Sequence, residues 1–147
     1  MTITNLKLMV CTIAGAAGSF VAYLFGGWTE DVSTLIIFMC VDFVMGLIVA
    51  AIFKNSNKST TGALESKAGW KGLCRKGVTL LIVLIARRLD IALGVEYIQT
   101  ATVVGFIANE AISIIENAGL MGIPLPAILT NAIEVLKNKS EERRDKV

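Results

Sequence analysis

Apolar residues in this chain fall into long uncharged blocks separated by short polar breaks, the pattern of membrane-length helices. From Leu8 to Thr29 no residue is charged, and a helix of that length crosses a hydrocarbon layer of roughly 30 Å. Glu30 and Asp31 form an acidic break, and a second apolar block runs from 32 to 53 with Asp42 near its middle. Its thirteen Ile, Leu, Val or Phe residues, at about −0.3 to −0.6 kcal/mol each, outweigh one central Asp at about +3 kcal/mol. Both blocks are therefore expected to insert.

Two further blocks are conditional. Residues 77–95 carry eleven aliphatic side chains but also Arg87, Arg88 and Asp90, and three charges at roughly +2.5 to +3.5 kcal/mol each exceed what those side chains supply. Residues 97–115 contain eight Ile, Val or Phe residues with Asn109 and Glu110 toward the far end, which leaves insertion only marginally favourable on the same scale. Blocks three and four are expected to need each other or neighbouring subunits. After Asn117 the residues Gly119, Gly122, Pro124 and Pro126 break the helix. Leu125, Ile128, Leu129, Ala132, Ile133 and Leu136 then recur at helical spacing opposite Thr130, Asn131, Glu134 and Lys137. This predicts an amphipathic helix over 124–138, suited to a membrane surface or a partner groove, followed by a charged tail over 139–147. The expected fold is an all-α integral membrane protein with three to four transmembrane helices plus a C-terminal amphipathic helix, in one membrane domain.

Charge sets the orientation. In the polar stretch 54–76, Lys54, Lys58, Lys67, Lys71, Arg75 and Lys76 face a single Glu65, so the positive-inside rule places that loop in the cytoplasm. The N-terminus with Lys7 then also lies inside, and the acidic break faces out. A three-span form would instead separate the two termini across the membrane. A signal peptide is the competing reading of the first block, but its apolar stretch continues past the small residues to Tyr23, Leu24, Phe25 and Trp28. Within it Ala14, Gly18, Ala22 and Gly26 recur every fourth residue, a stripe that admits a second helix closely, either within one chain or between copies. Gly46 and Ala50 offer a similar small-residue edge in the second block.

Composition narrows the chemistry. With 54% hydrophobic and 18% charged residues, the chain is more apolar than ordinary soluble domains. A net charge of +2, without basic residues interleaved with aromatics, gives no nucleic-acid signature. Histidine is absent, which removes the commonest general base and metal ligand. No P-loop, dinucleotide fingerprint or nucleophile–base spacing is present, so neither catalysis nor a cofactor is expected. Cys11, Cys40 and Cys74 lack a CxxC spacing, and two of them lie in apolar runs where Cys behaves as a small hydrophobe; Val10 is too bulky for a lipoprotein cleavage site before Cys11.

Ionisable groups inside apolar blocks are the candidate functional residues, because in hydrocarbon such groups pair, face water or move the segment out. Arg87 and Asp90 are three residues apart and can meet on one helical face, while Asp42 and Glu110 have Arg88 as a partner across helices or between subunits. Asn109, Glu110, Ser113, Glu116 and Asn117 fall within one broad polar face over two turns. Several copies turning that face inward would line an aqueous pore; the plain alternatives are charge pairs that hold a bundle together and a helix end near the interface.

From Asp42 to about Leu136 the order of these features resembles the toxin-secretion/phage-lysis holins, a family with clostridial toxin-export members. The resemblance rests on Asp42 with Gly46 and Ala50, then the Ser- and Lys-rich loop closing in Arg75-Lys76-Gly77, then Leu89-Asp90. It continues through Glu110-Ala-Ile-Ser113-Ile-Ile-Glu116-Asn117 and Gly122-Ile-Pro124-Leu-Pro126 before an amphipathic helix. Arg87 and Arg88 fall outside that pattern. The resemblance implies a phage or prophage protein that forms homo-oligomers in the bacterial cytoplasmic membrane and releases an endolysin or a toxin, with the bilayer and other copies of itself as direct partners. The alternatives are a small multi-helix transporter coupled through a membrane carboxylate, and an antiholin or membrane anchor.

Overall fold

A computed structural model describes residues 3–53 and 66–144, and among these every regular element is a helix. The first part of the basic loop (54–65), the last three residues of the charged tail, and the side chains of Leu136, Lys137 and 139–144 lie outside the described residues. The helices are α1 (Ile3–Leu24), α2 (Glu30–Ile48, continued by a π-helical turn Val49–Phe53), α3 (Ser66–Leu93), α4 (Ile98–Leu120) and α5 (Ala127–Arg144). Three of them, Ile3–Leu24, Glu30–Phe53 and Ile98–Leu120, are long and apolar enough to cross a membrane. The protein is an all-α membrane protein.

Helix boundaries follow local chemistry. At the end of α1 the Gly27 N–H donates to the Ala22 carbonyl at 2.8 Å and the Gly26 N–H to that of Tyr23 at 3.1 Å. This is the Schellman arrangement with Gly26 in the left-handed region (φ 81°). Gly26 thus ends the first helix instead of extending its small-residue stripe. Thr29 then caps α2, its hydroxyl oxygen accepting from the Val32 N–H, and Glu30 and Asp31 occupy the first turn, where the helix dipole favours negative charge.

The third helix begins at Ser66 rather than at Gly77, so the polar residues of 66–76 are helical. Its inward face is not set by hydrophobicity alone: the buried positions are Thr79, Val83, Ala86 and Asp90. The fourth helix runs five residues beyond the block that predicts it, to Leu120. There the Ile123 N–H donates to the Ala118 carbonyl and the Gly122 N–H to that of Gly119, and Pro124 and Pro126 prevent continuation.

Helices α2, α3 and α4 form the packed bundle, with α4 touching both of the others and α5 lying against α4. The core joins Val32, Leu35 and Met39 of α2 to Val83 of α3 and to Val103 and Ile107 of α4. Val49 and Ala50 are buried beyond it. Helix α1 contributes no buried residue: Ala14 and Gly18 are exposed, with nothing within 4 Å of the space a Cβ would take at Gly18. On α5, Ile133 is half-buried while Ile128 and Leu129 are exposed.

Candidate functional site

The inward stripe of α2 passes through Val32, Leu35, Met39, Asp42 and Val49. A carboxylate therefore stands where helical spacing calls for an apolar core residue. Counting about 1.5 Å per residue, Asp42 lies some 18 Å from the start of α2, and Glu110 lies the same distance from the start of α4. Two carboxylates thus meet at one level in the middle of the bundle.

Lys76 joins them. Its ammonium donates to Asp42 Oδ2 at 2.9 Å and also to Glu110 Oε2. All three side chains are largely buried, with Asp42 and Glu110 under a tenth exposed and Lys76 at 14%. The other Asp42 oxygen, Oδ1, accepts from Asn117 Nδ2 at 2.9 Å, and the same nitrogen lies 3.4 Å from the Asp42 carbonyl oxygen. Gly46, one turn on from Asp42, faces the same amide: a Cβ there would stand 3.9 Å from Asn117 Nδ2, an ordinary contact distance. Four residues from three helices thereby satisfy one another in the apolar interior, which is the condition for keeping such groups there.

The partners differ from those sequence suggests. Asp42 and Glu110 pair with Lys76, whereas Arg88 is exposed and makes no ion pair among the described residues. Asp90 does not pair with Arg87; its Oδ1 and Oδ2 accept from the backbone N–H groups of Ile98 and Gln99, both at 2.9 Å. That caps α4, whose Tyr97 N-cap offers no side-chain bond. The Gln99 amide in turn donates to the Phe25 carbonyl at 3.0 Å, so the α1–α2 and α3–α4 turns meet at one end of the bundle.

The broad polar face of α4 divides. Glu110 and Asn117, seven residues apart, point into the bundle; Asn109 and Glu116, also seven apart, are exposed, and Ser113 is half-buried between them. A cleft of about 670 Å³ runs between α3 and α4. Lys76, Thr79, Thr102, Asn109, Glu110 and Ser113 line it, so it leads from the buried cluster to the bundle surface.

Lys76 is the residue that pattern reading missed, because it sits in a stretch that reads as a solvated basic loop. A signal was present: stepping back seven residues from Val83 along the α3 stripe lands on Lys76, the same face two turns earlier. Among the described residues no group of three or more His, Cys, Asp or Glu is placed to hold a metal, and Cys11, Cys40 and Cys74 are exposed and unpaired with one another.

The sequence profile of the Bacteriophage holin family matches residues 19–138. An uncharacterized protein of Halalkalibacterium halodurans is 38% identical over 130 residues, covering 84% of this chain and 90% of its own. An uncharacterized protein of Listeria monocytogenes is 36% identical over 133 residues, covering 88% and 89%. A protein of Bacillus phage phi105 named "Probable holin" is 31% identical over 126 residues, covering 85% and 87%. No solved structure matches the chain.

Proposed function

The chain belongs to the bacteriophage holin family, and from that membership we propose that it assembles in the bacterial cytoplasmic membrane into a lesion through which an endolysin or a toxin leaves the cell. The observation that carries this reading is the Asp42–Lys76–Glu110–Asn117 cluster. It gives one subunit a way to hold charge in hydrocarbon harmlessly, and gives several subunits a polar surface to turn toward water.

With α2 and α4 in the bilayer, α3 spans it as well, because the cluster and Val83 tie α3 between them through the bundle centre. Within it Lys76 is paired with carboxylates and Asp90 is engaged with the α4 backbone, while Arg87 and Arg88 lie beside the Gly26–Gly27 turn at the end of the bundle, where long basic side chains reach the interface. Four spans place the N-terminus, the basic stretch before Lys76 and the α5 side of the bundle in the cytoplasm.

Assembly converts this closed form into the open one. Helix α1, with no buried residue, presents Ala14 and Gly18 to a second copy, since small residues permit close approach of helices in lipid. Crowding of subunits separates α3 from α4 along their cleft and exposes Glu110, Ser113, Asn109 and Lys76 to a water-filled lumen. Such a packed element with two discrete arrangements is what a timed switch requires. No chemical step is involved.

Inducible expression in a bacterium, followed by membrane potential and optical density with and without a cytoplasmic endolysin, tests the proposal. Abrupt depolarisation at a reproducible time, with lysis only when the endolysin is present, is the expected result. Sustained potential and growth would reject it. Asp42→Ala and Glu110→Ala each weaken the closed form and bring depolarisation forward; unchanged timing in both variants rejects the role given to the cluster.

A further inference from the structure

We propose that Arg87 and Arg88, with the Gly26–Gly27 turn, bind the phosphate of an anionic phospholipid headgroup. The inference rests on the membrane placement argued above and adds a ligand to it.

Several independent features converge there. The Arg87 Nε is buried and has no hydrogen-bond partner, although a buried donor left unmatched costs on the order of a whole hydrogen bond. Neither guanidinium makes an ion pair among the described residues, and the nearby Asp90 has committed both oxygens to α4. The Arg87 side chain packs so close over Gly26 that a Cβ there would stand 2.6 Å from Nε and 2.9 Å from Cζ. A cavity of about 420 Å³ adjoins, walled by Tyr23, Gly26, Gly27, Arg87, Arg88 and Ile91.

The walls define the ligand. Two adjacent guanidiniums present forked N–H donors suited to phosphate oxygens, and the two glycines leave the backbone side of the cavity without side chains. Tyr23 and Ile91, both largely exposed, give the same cavity an apolar rim. A charged floor beside an apolar rim fits an amphiphile better than a free anion. The site also lies at the bundle end where Tyr23, Trp28 and Tyr97 are exposed, and exposed Tyr and Trp mark the headgroup level of a bilayer. The headgroup accepts from the Arg87 and Arg88 guanidinium N–H groups that border the cavity and anchors the α1–α2 turn to α3.

The test is lipid titration of the purified full chain in phosphatidylcholine nanodiscs, with phosphatidylglycerol as the probe and bound lipid counted by native mass spectrometry. At roughly the strength of one basic residue near an anionic surface, Arg88→Gln should weaken phosphatidylglycerol retention about fivefold and Arg87→Gln/Arg88→Gln about thirtyfold. Lys71→Gln, which removes the same charge near the opposite end of α3, should leave it unchanged. Arg88 is exposed, so its single variant keeps the test alive should the double variant fail to fold. Equal retention by wild type and Arg88→Gln overturns the proposal, as does an equal loss in Lys71→Gln. Thermal stabilisation by inorganic phosphate equal to that by phosphatidylglycerol overturns the lipid assignment. Extraction of the wild type from vesicles by alkaline carbonate would overturn the membrane placement itself, whereas a carbonate-resistant protein with unaltered lipid retention in the variants overturns this inference alone.

Discussion

Lys76 Nζ stands 2.9 Å from Asp42 Oδ2, so the last charged side chain before an apolar run neutralises a carboxylate in the middle of another. Neither residue is stable at its depth alone. Together with Glu110 and Asn117 they convert three helices into one unit.

Removal of the shared cation tests that dependence. Lys76→Met leaves Asp42 and Glu110 buried without a counter-charge, and breaking a buried pair in this way costs about 3–5 kcal/mol. Unfolding of the detergent-solubilised protein should show that loss. Combining Lys76→Met with Asp42→Asn and Glu110→Gln should recover most of it; a triple variant no more stable than Lys76→Met would mean that the charges are not coupled.

Among the described residues Asn117 donates its side-chain hydrogen bonds to Asp42. Asn117→Ala removes a donor to a charged acceptor, a loss of about 1.5–3 kcal/mol, and the effect should shrink sharply in an Asp42→Asn background. Additive costs in a double-mutant cycle would contradict the hydrogen bond seen between them.

Asp90 acts on the start of a helix rather than on a charge partner. Asp90→Ala should cost about 0.5–2 kcal/mol, the usual range for loss of a cap, and should speed amide exchange at Ile98 and Gln99 above all other positions of α4. Asp90→Asn, which keeps acceptor capacity, should be milder. Uniform exchange along α4 in Asp90→Ala would refute the capping role.

Helix α1 separates folding from assembly. Since nothing lies within 4 Å of a Cβ added at Gly18, Gly18→Leu should change unfolding stability by no more than about 0.5 kcal/mol while reducing cross-linked oligomers and delaying lysis. A large stability loss would mean that Gly18 packs within the subunit.

Much of this protein was legible in its sequence. Uninterrupted apolar length marks α1 and α2, because hydrocarbon thickness and helical rise leave little freedom in such segments. Gly122, Pro124 and Pro126 end α4 for reasons local to the backbone, and the polar groups inside apolar blocks were recognisable as such from their cost. The order of motifs from Asp42 onward sufficed to indicate the family. What sequence left open was pairing. Periodicity tells which residues share a face of one helix, but not which faces meet or at what height, so it offered Arg88 to Asp42 and left Lys76 in a solvated basic stretch. Only the packing of α2, α3 and α4 distinguished them: the register of three helices brings Lys76 to the level of Asp42 and Glu110 and leaves Arg88 at the surface. The same register turned Asp90 from a partner of Arg87 into the cap of α4, placed Gly26 beneath Arg87, and divided one polar face of α4 into a buried pair and an exposed pair. Local composition fixes which segments form helices and how much their charges cost; three-dimensional register decides which charges satisfy one another, because that depends on distances between residues more than thirty positions apart.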